Sequence, residues 1–158
     1  MKKTRFFYAL MLVCALSAVF IAPARNAGAV LGGSADSIGN DVSAMKAAGS
    51  KVKNLKGYSV HEIDSGTLTL REYVSPDGVV FGIAWDGLLS PKLSGLLGSY
   101  YNRYREARRQ LQRTHGKKSM RVQADDVVVE KWGHMRSMHG RAYVPSLVPA
   151  GVSADVVR

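Results

Sequence analysis

Three runs between Tyr58 and Trp85 constrain this chain more than any other feature. Tyr58 to Ile63, Thr67 to Val74 and Val79 to Trp85 are rich in β-branched and aromatic residues, which pack well on a pleated surface. Asp64-Ser65-Gly66 separates the first two and Ser75-Pro76-Asp77-Gly78 the second two. Proline fixes φ and glycine tolerates positive φ, so both are turn sequences and the region reads as an antiparallel meander. In its middle strand Leu68, Leu70 and Val74 share one face, while Thr67, Thr69, Arg71 and Tyr73 share the other. That alternation predicts one buried face and one wet face.

Ahead of the meander, Ile38, Val42 and Met45 recur at helical spacing between Ser34, a suitable N-cap, and Gly49, a suitable stop. Lys51 to Gly57 then reads as a basic linker. Behind the meander, Ser90-Pro91 offers an N-cap followed by proline in the first turn, and Leu93, Leu96, Leu97, Tyr100, Tyr104, Ala107 and Leu111 fall on one helical face. The spacing predicts a helix ending near Thr114 to Gly116. Beyond a basic loop, Met120 to Gln123, Val127 to Trp132 and Met135 to Val144 return to strand composition, with Gly133-His134 as the last turn. Residues from about 146 have little periodicity and read as an irregular docked tail. The expected fold is α+β: a mostly antiparallel sheet of five to six strands in helix-β-β-β-helix-β-β(-β) order, with helices packed on one face.

The chain opens with Lys2, Lys3 and Arg5 and then runs apolar from Phe6 to Ala22, followed by Ala27-Gly28-Ala29. A cationic segment, an apolar segment and small residues at the two positions read by a signal peptidase predict a signal peptide over 1–29, cut after Ala29. Residues 30–158 then form a single exported domain that does not span the membrane. Cys14, the one cysteine, leaves with the leader, so the exported part has no disulfide, thiol nucleophile or thiolate ligand and must rest on an apolar core. Lys2, Lys3, Arg5 and Arg25 leave too, which lowers the formal charge from +10 to +6. An excess of that sign favours anionic neighbours, and outside the cytoplasm these are envelope components or acidic proteins rather than nucleic acid.

Several blocks carry a resemblance: Tyr58-Ser59-Val60-His61-Glu62, Arg71-Glu72-Tyr73-Val74-Ser75-Pro76-Asp77-Gly78, Phe81-Gly82-Ile83-Ala84-Trp85, Gly133-His134-Met135-Arg136 and Gly140-Arg141-Ala142-Tyr143-Val144-Pro145. Together they resemble a family of exported bacterial proteins catalogued as a domain of unknown function. The resemblance implies export and the domain boundary. It assigns no catalytic residue.

Two groups of residues are candidates for a site. Between Arg103 and Arg121 the chain holds eight cations against Glu106 alone. Arg105, Arg109 and Arg113 fall four apart and line one side of the predicted helix, with Lys117 and Lys118 just beyond. Guanidinium groups in such a row can grip phosphates or carboxylates. The second group, His61, Arg71, His134 and Arg136, could form a polar site if the fold gathers it. Arg71, Arg136 and Arg141 could instead pair with glutamates across strands or line a groove with Trp85 and Trp132. His134 and His139 lie five apart in one expected strand, so alternation sends them to opposite faces, and no histidine pair has metal-ligand spacing. Asp125-Asp126 reads as a turn, and there is no nucleophile elbow or phosphate loop.

Neither a metal nor a cofactor is expected. The reading favours a non-enzymatic binding module, periplasmic or secreted, with a basic face for an anionic envelope component or an acidic protein. The alternative is a small periplasmic enzyme with its site around His61, Arg71, His134 and Arg136.

Overall fold

A computed structural model describes residues 30–35, 49–111 and 119–158. Seven strands form one antiparallel sheet: β1 (Gly49–Leu55), β2 (Tyr58–Asp64), β3 (Leu68–Val74), β4 (Val80–Gly87), β5 (Ser119–Ala124), β6 (Val127–His134) and β7 (Ser137–Tyr143). Their spatial order is β1-β2-β3-β4-β7-β6-β5. Strand β4 is central, and its residues Val80 to Trp85 are all buried. An unbroken apolar run is what a strand covered on both faces requires.

The sheet has one strand more than the five to six expected. Strand β1 comes from the segment that reads as a basic linker. Its register with β2 runs from Gly49 opposite Asp64 to Leu55 opposite Tyr58, and Gly57 closes the turn at φ 88°. Lysines hide such a strand from a composition argument, yet an edge strand needs pairing on one side only and is often protected by them.

Among the described residues two helices cross one face, α1 (Leu93–Leu97) and α2 (Tyr101–Gln110), joined by a 3-10 turn at Gly98–Tyr100. The single helix expected from Pro91 to about Thr114 is thus divided and shorter. Lys92, not Ser90, precedes α1, without a side-chain cap. Gly98 takes φ 47° and ψ −118°, and the space its Cβ would need is filled by the side chain of Val30. The break therefore lets the segment around Val30 dock, and the Leu31 amide donates to the Leu96 carbonyl at 2.9 Å. The helix α2 ends at Gln110, and Leu111 is extended and 45% exposed. Among the described residues no helix is long and apolar enough to cross a membrane.

Most of the helix expected from Ser34 to Gly49 lies outside the described residues. At its ends, Ser34 makes an antiparallel bridge with Val79, and Gly49 opens β1.

Under α1 and α2 lies the main core, built from Leu31, Ile63, Leu70, Ile83, Trp85, Leu97, Tyr104, Val122, Val129 and Ala142 among others. Leu68, Leu70 and Val74 face it as the alternation predicts, and so does Glu72, which is fully buried. The opposite face is not simply wet. The segment from Pro145 to Arg158 crosses it through 3-10 turns at Pro145–Leu147 and Ala154–Val156. Val157 is buried there with Tyr73, Phe81, Ala84, Val128 and Tyr143 in a second, smaller core. Gly82 makes room for it, because a Cβ at that position would lie 2.6 Å from Val157 Cγ2.

Candidate functional site

Beside the tail, the same face of the sheet is polar, and strand register decides which groups meet. Directly opposed residues share a face, so Glu62 on β2 stands opposite Arg71 on β3, Arg71 opposite Ala84 on β4, and Ala84 opposite Arg141 on β7. Arg141 in turn faces Glu130 on β6, and Glu130 faces Arg121 on β5. Opposite charges therefore alternate across the strands. Arg71 Nε donates to Glu62 Oε2 at 3.1 Å, Arg141 Nε to Glu130 Oε2 at 2.6 Å, and Arg121 Nη1 to Glu130 Oε1 at 2.8 Å. The tail joins this network: Arg141 Nη1 donates to the Val157 carbonyl at 3.2 Å and the Tyr73 hydroxyl to the Arg158 main-chain oxygen at 2.5 Å.

At the centre, small Ala84 leaves space that Arg71 crosses to pair with Asp86, two residues along β4. Asp86 stands opposite His139 on β7. His139 Nδ1 lies 2.6 Å from Asp86 Oδ1, and His139 Nε2 lies 3.0 Å from Ser137 Oγ. A carboxylate only accepts hydrogen bonds, so Nδ1 carries the proton and donates it, and in the neutral ring Nε2 is left to accept from the Ser137 hydroxyl. Trp132, opposite His139 on β6, stacks on the imidazole with centroids 6.2 Å apart and planes 14° from parallel. The ring is thus held from β4, from β6 and along its own strand. Both His139 and Asp86 keep about a third of their side-chain surface open to solvent (33% and 36%).

Burial pushes the Asp86 carboxyl up, but the hydrogen bonds from His139 and Arg71 outweigh it and hold the group below the usual carboxylate value. On Arg71, burial is outweighed by Asp86 and then Glu62, which keep the guanidinium charged. Burial lowers the His61 imidazole from its ordinary value and raises the Tyr73 phenol. A carboxyl whose pKa is depressed in the fold contributes stability that is present above its unfolded value, about 3.9, and is lost as pH falls through the folded one. His61, with a depressed imidazole, also costs stability below its unfolded value of about 6.5. Urea midpoints measured from pH 7 to pH 3 should therefore fall toward acid, and Asp86→Asn should flatten the lowest part of that curve.

The residues singled out above are divided by the fold. His61 stands opposite Glu72 and so lies on the helix-covered face, away from Arg71. His134 and Arg71 share the polar face but are separated by β4 and β7. Arg136 sits in the β6–β7 turn at φ 63°, the one non-glycine residue with positive φ among those described. That turn is Met135-Arg136, not Gly133-His134, which end β6. It also restarts the alternation, so His134, opposite Ser137, and His139 share one face instead of facing apart.

Arg71 and Arg141 pair with glutamates across strands, Trp85 is buried under the helices, and Trp132 lies on the polar face. Nothing in the local sequence joins Asp86 to Ser137 and His139. Their encounter depends on β4 lying beside β7, a neighbour more than fifty positions away, and the Ser137-x-His139 alternation is the only local trace of it.

On α2, Arg105 and Arg109 are exposed and take part in no ion pair among the described residues, whereas Arg103 pairs with Asp126 in the β5–β6 turn. Arg113, Lys117 and Lys118 lie outside the described residues. Near the free edge of β1, Lys51, Lys53, Tyr58, Val60 and Arg158 line an open groove of about 400 Å³. Among the described residues no group of three or more histidines, cysteines and carboxylates is placed to hold a metal ion.

Comparison with curated proteins gives no match, and comparison with solved structures gives none either. The family described as "Protein of unknown function (DUF2844)" matches residues 27–157, and the chain belongs to that family.

Proposed function

We propose that the protein is an exported binding module whose basic helix face engages an anionic envelope component. The observation that carries this reading is a contrast between cations. On the sheet, Arg71, Arg121 and Arg141 are spent in ion pairs, while Arg105 and Arg109 stand exposed one helical turn apart with no carboxylate partner among the described residues. Guanidinium groups that the fold leaves uncompensated remain available to phosphate or carboxylate. The row extends in sequence to Arg113, Lys117 and Lys118. Export rests on the leader-like segment 1–29 with Ala27 and Ala29 at its end, and it places the partner in the periplasm or outside the cell.

The test is retention on vesicles containing phosphatidylglycerol, measured from 50 to 500 mM salt against vesicles of neutral lipid. Binding should weaken steeply with salt, since exposed charges are screened over about 10 Å at 0.1 M. Arg105→Glu with Arg109→Glu should lower retention at least tenfold while leaving the urea midpoint unchanged. Retention that survives the double substitution defeats the proposal.

A further inference from the structure

We propose that Ser137, His139 and Asp86 form a hydrolytic relay, with Ser137 Oγ the nucleophile toward carboxylic esters. This activity goes beyond the binding role and lies on the polar sheet face. Three observations carry it. The atoms are in the order nucleophilic catalysis needs: hydroxyl to Nε2 at 3.0 Å, Nδ1 to carboxylate at 2.6 Å. The imidazole is fixed, by the cross-strand carboxylate on one side and the Trp132 ring on the other. And Asp86 is itself held by Arg71, a further interaction that keeps the carboxylate charged and aimed.

Strand geometry explains why these groups meet. Residues two apart on β7 share a face, which brings Ser137 beside the Nε2 edge of His139, while antiparallel register sets Asp86 opposite the ring. No strain in β7 is needed. The positive φ of Arg136 falls on the residue immediately before the nucleophile. Its side chain is exposed and takes part in no ion pair among the described residues.

The chemistry balances with water as the only co-reactant. Ser137 Oγ bonds to the ester carbonyl carbon as its proton passes to His139 Nε2. Collapse breaks the bond to the alkoxide, which takes that proton and departs as the alcohol, leaving acyl-Ser137. A water molecule then gives a proton to Nε2 as its oxygen attacks the acyl carbon. Ser137 Oγ leaves, recovers the proton, and the carboxylic acid is released. Asp86 touches neither substrate nor product and acts as a positioning residue, selecting the Nδ1-protonated tautomer. The site is open and bordered by an exposed indole, which suits a small ester with an apolar or aromatic acyl group.

The experiment uses the folded full chain. A fluorophosphonate that reacts irreversibly with activated serine should add its mass to the peptide containing Ser137, and Ser137→Ala should abolish the adduct. Hydrolysis of p-nitrophenyl acetate should fall to the buffer rate in that variant and by 10² or more in His139→Gln, the usual contribution of a general base. Asp86→Asn should move the pH profile of the rate as well as lower it, which loss of a merely structural contact would not do. Ser137→Ala and His139→Gln change partly buried side chains, and circular dichroism and the urea midpoint verify their folding. Should either unfold, the wild-type adduct still decides. Absence of an adduct at Ser137 in the wild type, or labelling that is unchanged in His139→Gln, overturns the proposal. Labelling should not depend on Arg105 or Arg109, so the relay and the basic face fail or stand separately.

Discussion

Trp85→Ala should cost about 3–5 kcal/mol, the range for emptying a large aromatic site in a packed core. That is a large share of the roughly 5–15 kcal/mol that holds a domain of this size together. Trp85 is 1% exposed and sits beneath the helices with Ile83, Leu97 and Ala142. Its neighbour across the strand is Gly140 on β7, where a Cβ would lie 2.5 Å from Trp85 Cε2 and 2.7 Å from the Glu130 carbonyl oxygen.

The ring therefore occupies space that only glycine leaves open, and Gly140→Ala should itself cost about 1–3 kcal/mol through overpacking. Combining the two changes should recover part of the loss, because removing the ring frees one of the two clashes; the Glu130 carbonyl remains. The indole N–H has no hydrogen-bond partner among the described residues. Trp85→Phe, which deletes that buried donor, should accordingly be much milder than Trp85→Ala. Urea denaturation of the four proteins gives the coupling directly. Strictly additive losses would show that the ring and Gly140 do not share space.

Val157→Asp should release the C-terminal segment from the sheet. Val157 is fully buried over Gly82 and closes the second core with Tyr73 and Phe81. A carboxylate there would be stripped of water without a partner, which costs more than the segment gains by docking. The segment should detach instead, forfeiting the roughly 1.5–3 kcal/mol that burial of a valine supplies, and the hydrogen bonds of Arg141 and Tyr73 to its main chain with it. Hydrogen exchange at the main-chain amides of residues 156 and 157, which donate to the Ser153 and Ala154 carbonyls in the docked segment, should rise at least tenfold. The docked form favours a neutral carboxyl, so its pKa is raised there and lowering the pH should restore protection. Val157→Ala should show a smaller loss and no such pH dependence.

The parts of the fold that could be read from the chain are those decided within a few residues. The turns at Asp64-Ser65-Gly66 and at Ser75 to Gly78 carry their own stereochemistry, and strands β2, β3 and β4 fall beside them with boundaries shifted by a residue or two. Strand β1 is obscured because Lys51 and Lys53 reflect its place at the sheet edge, which is a property of the whole sheet. The helix break at Gly98 depends on Val30, nearly seventy positions earlier, and a glycine at helical spacing does not announce that partner. The same reason hides the candidate relay. Alternation predicts which side of its own strand a residue occupies but not which strand lies beside it, and a two-residue misplacement of the β6–β7 turn reverses the relation of His134 to His139.

The pairing of β4 with β7 has a kinetic consequence. Every other pair in the sheet joins strands that are consecutive in the chain, so β1 to β4 and β5 to β7 are two meanders that each form from local contacts. Among the strand pairings of the described residues the β4–β7 seam alone requires closure of a long loop, and such non-local contacts are slow to form. Asp86 and His139 are brought together by that seam and by nothing else. The pairing that joins the two meanders is thus also the one that brings together the groups proposed to do chemistry.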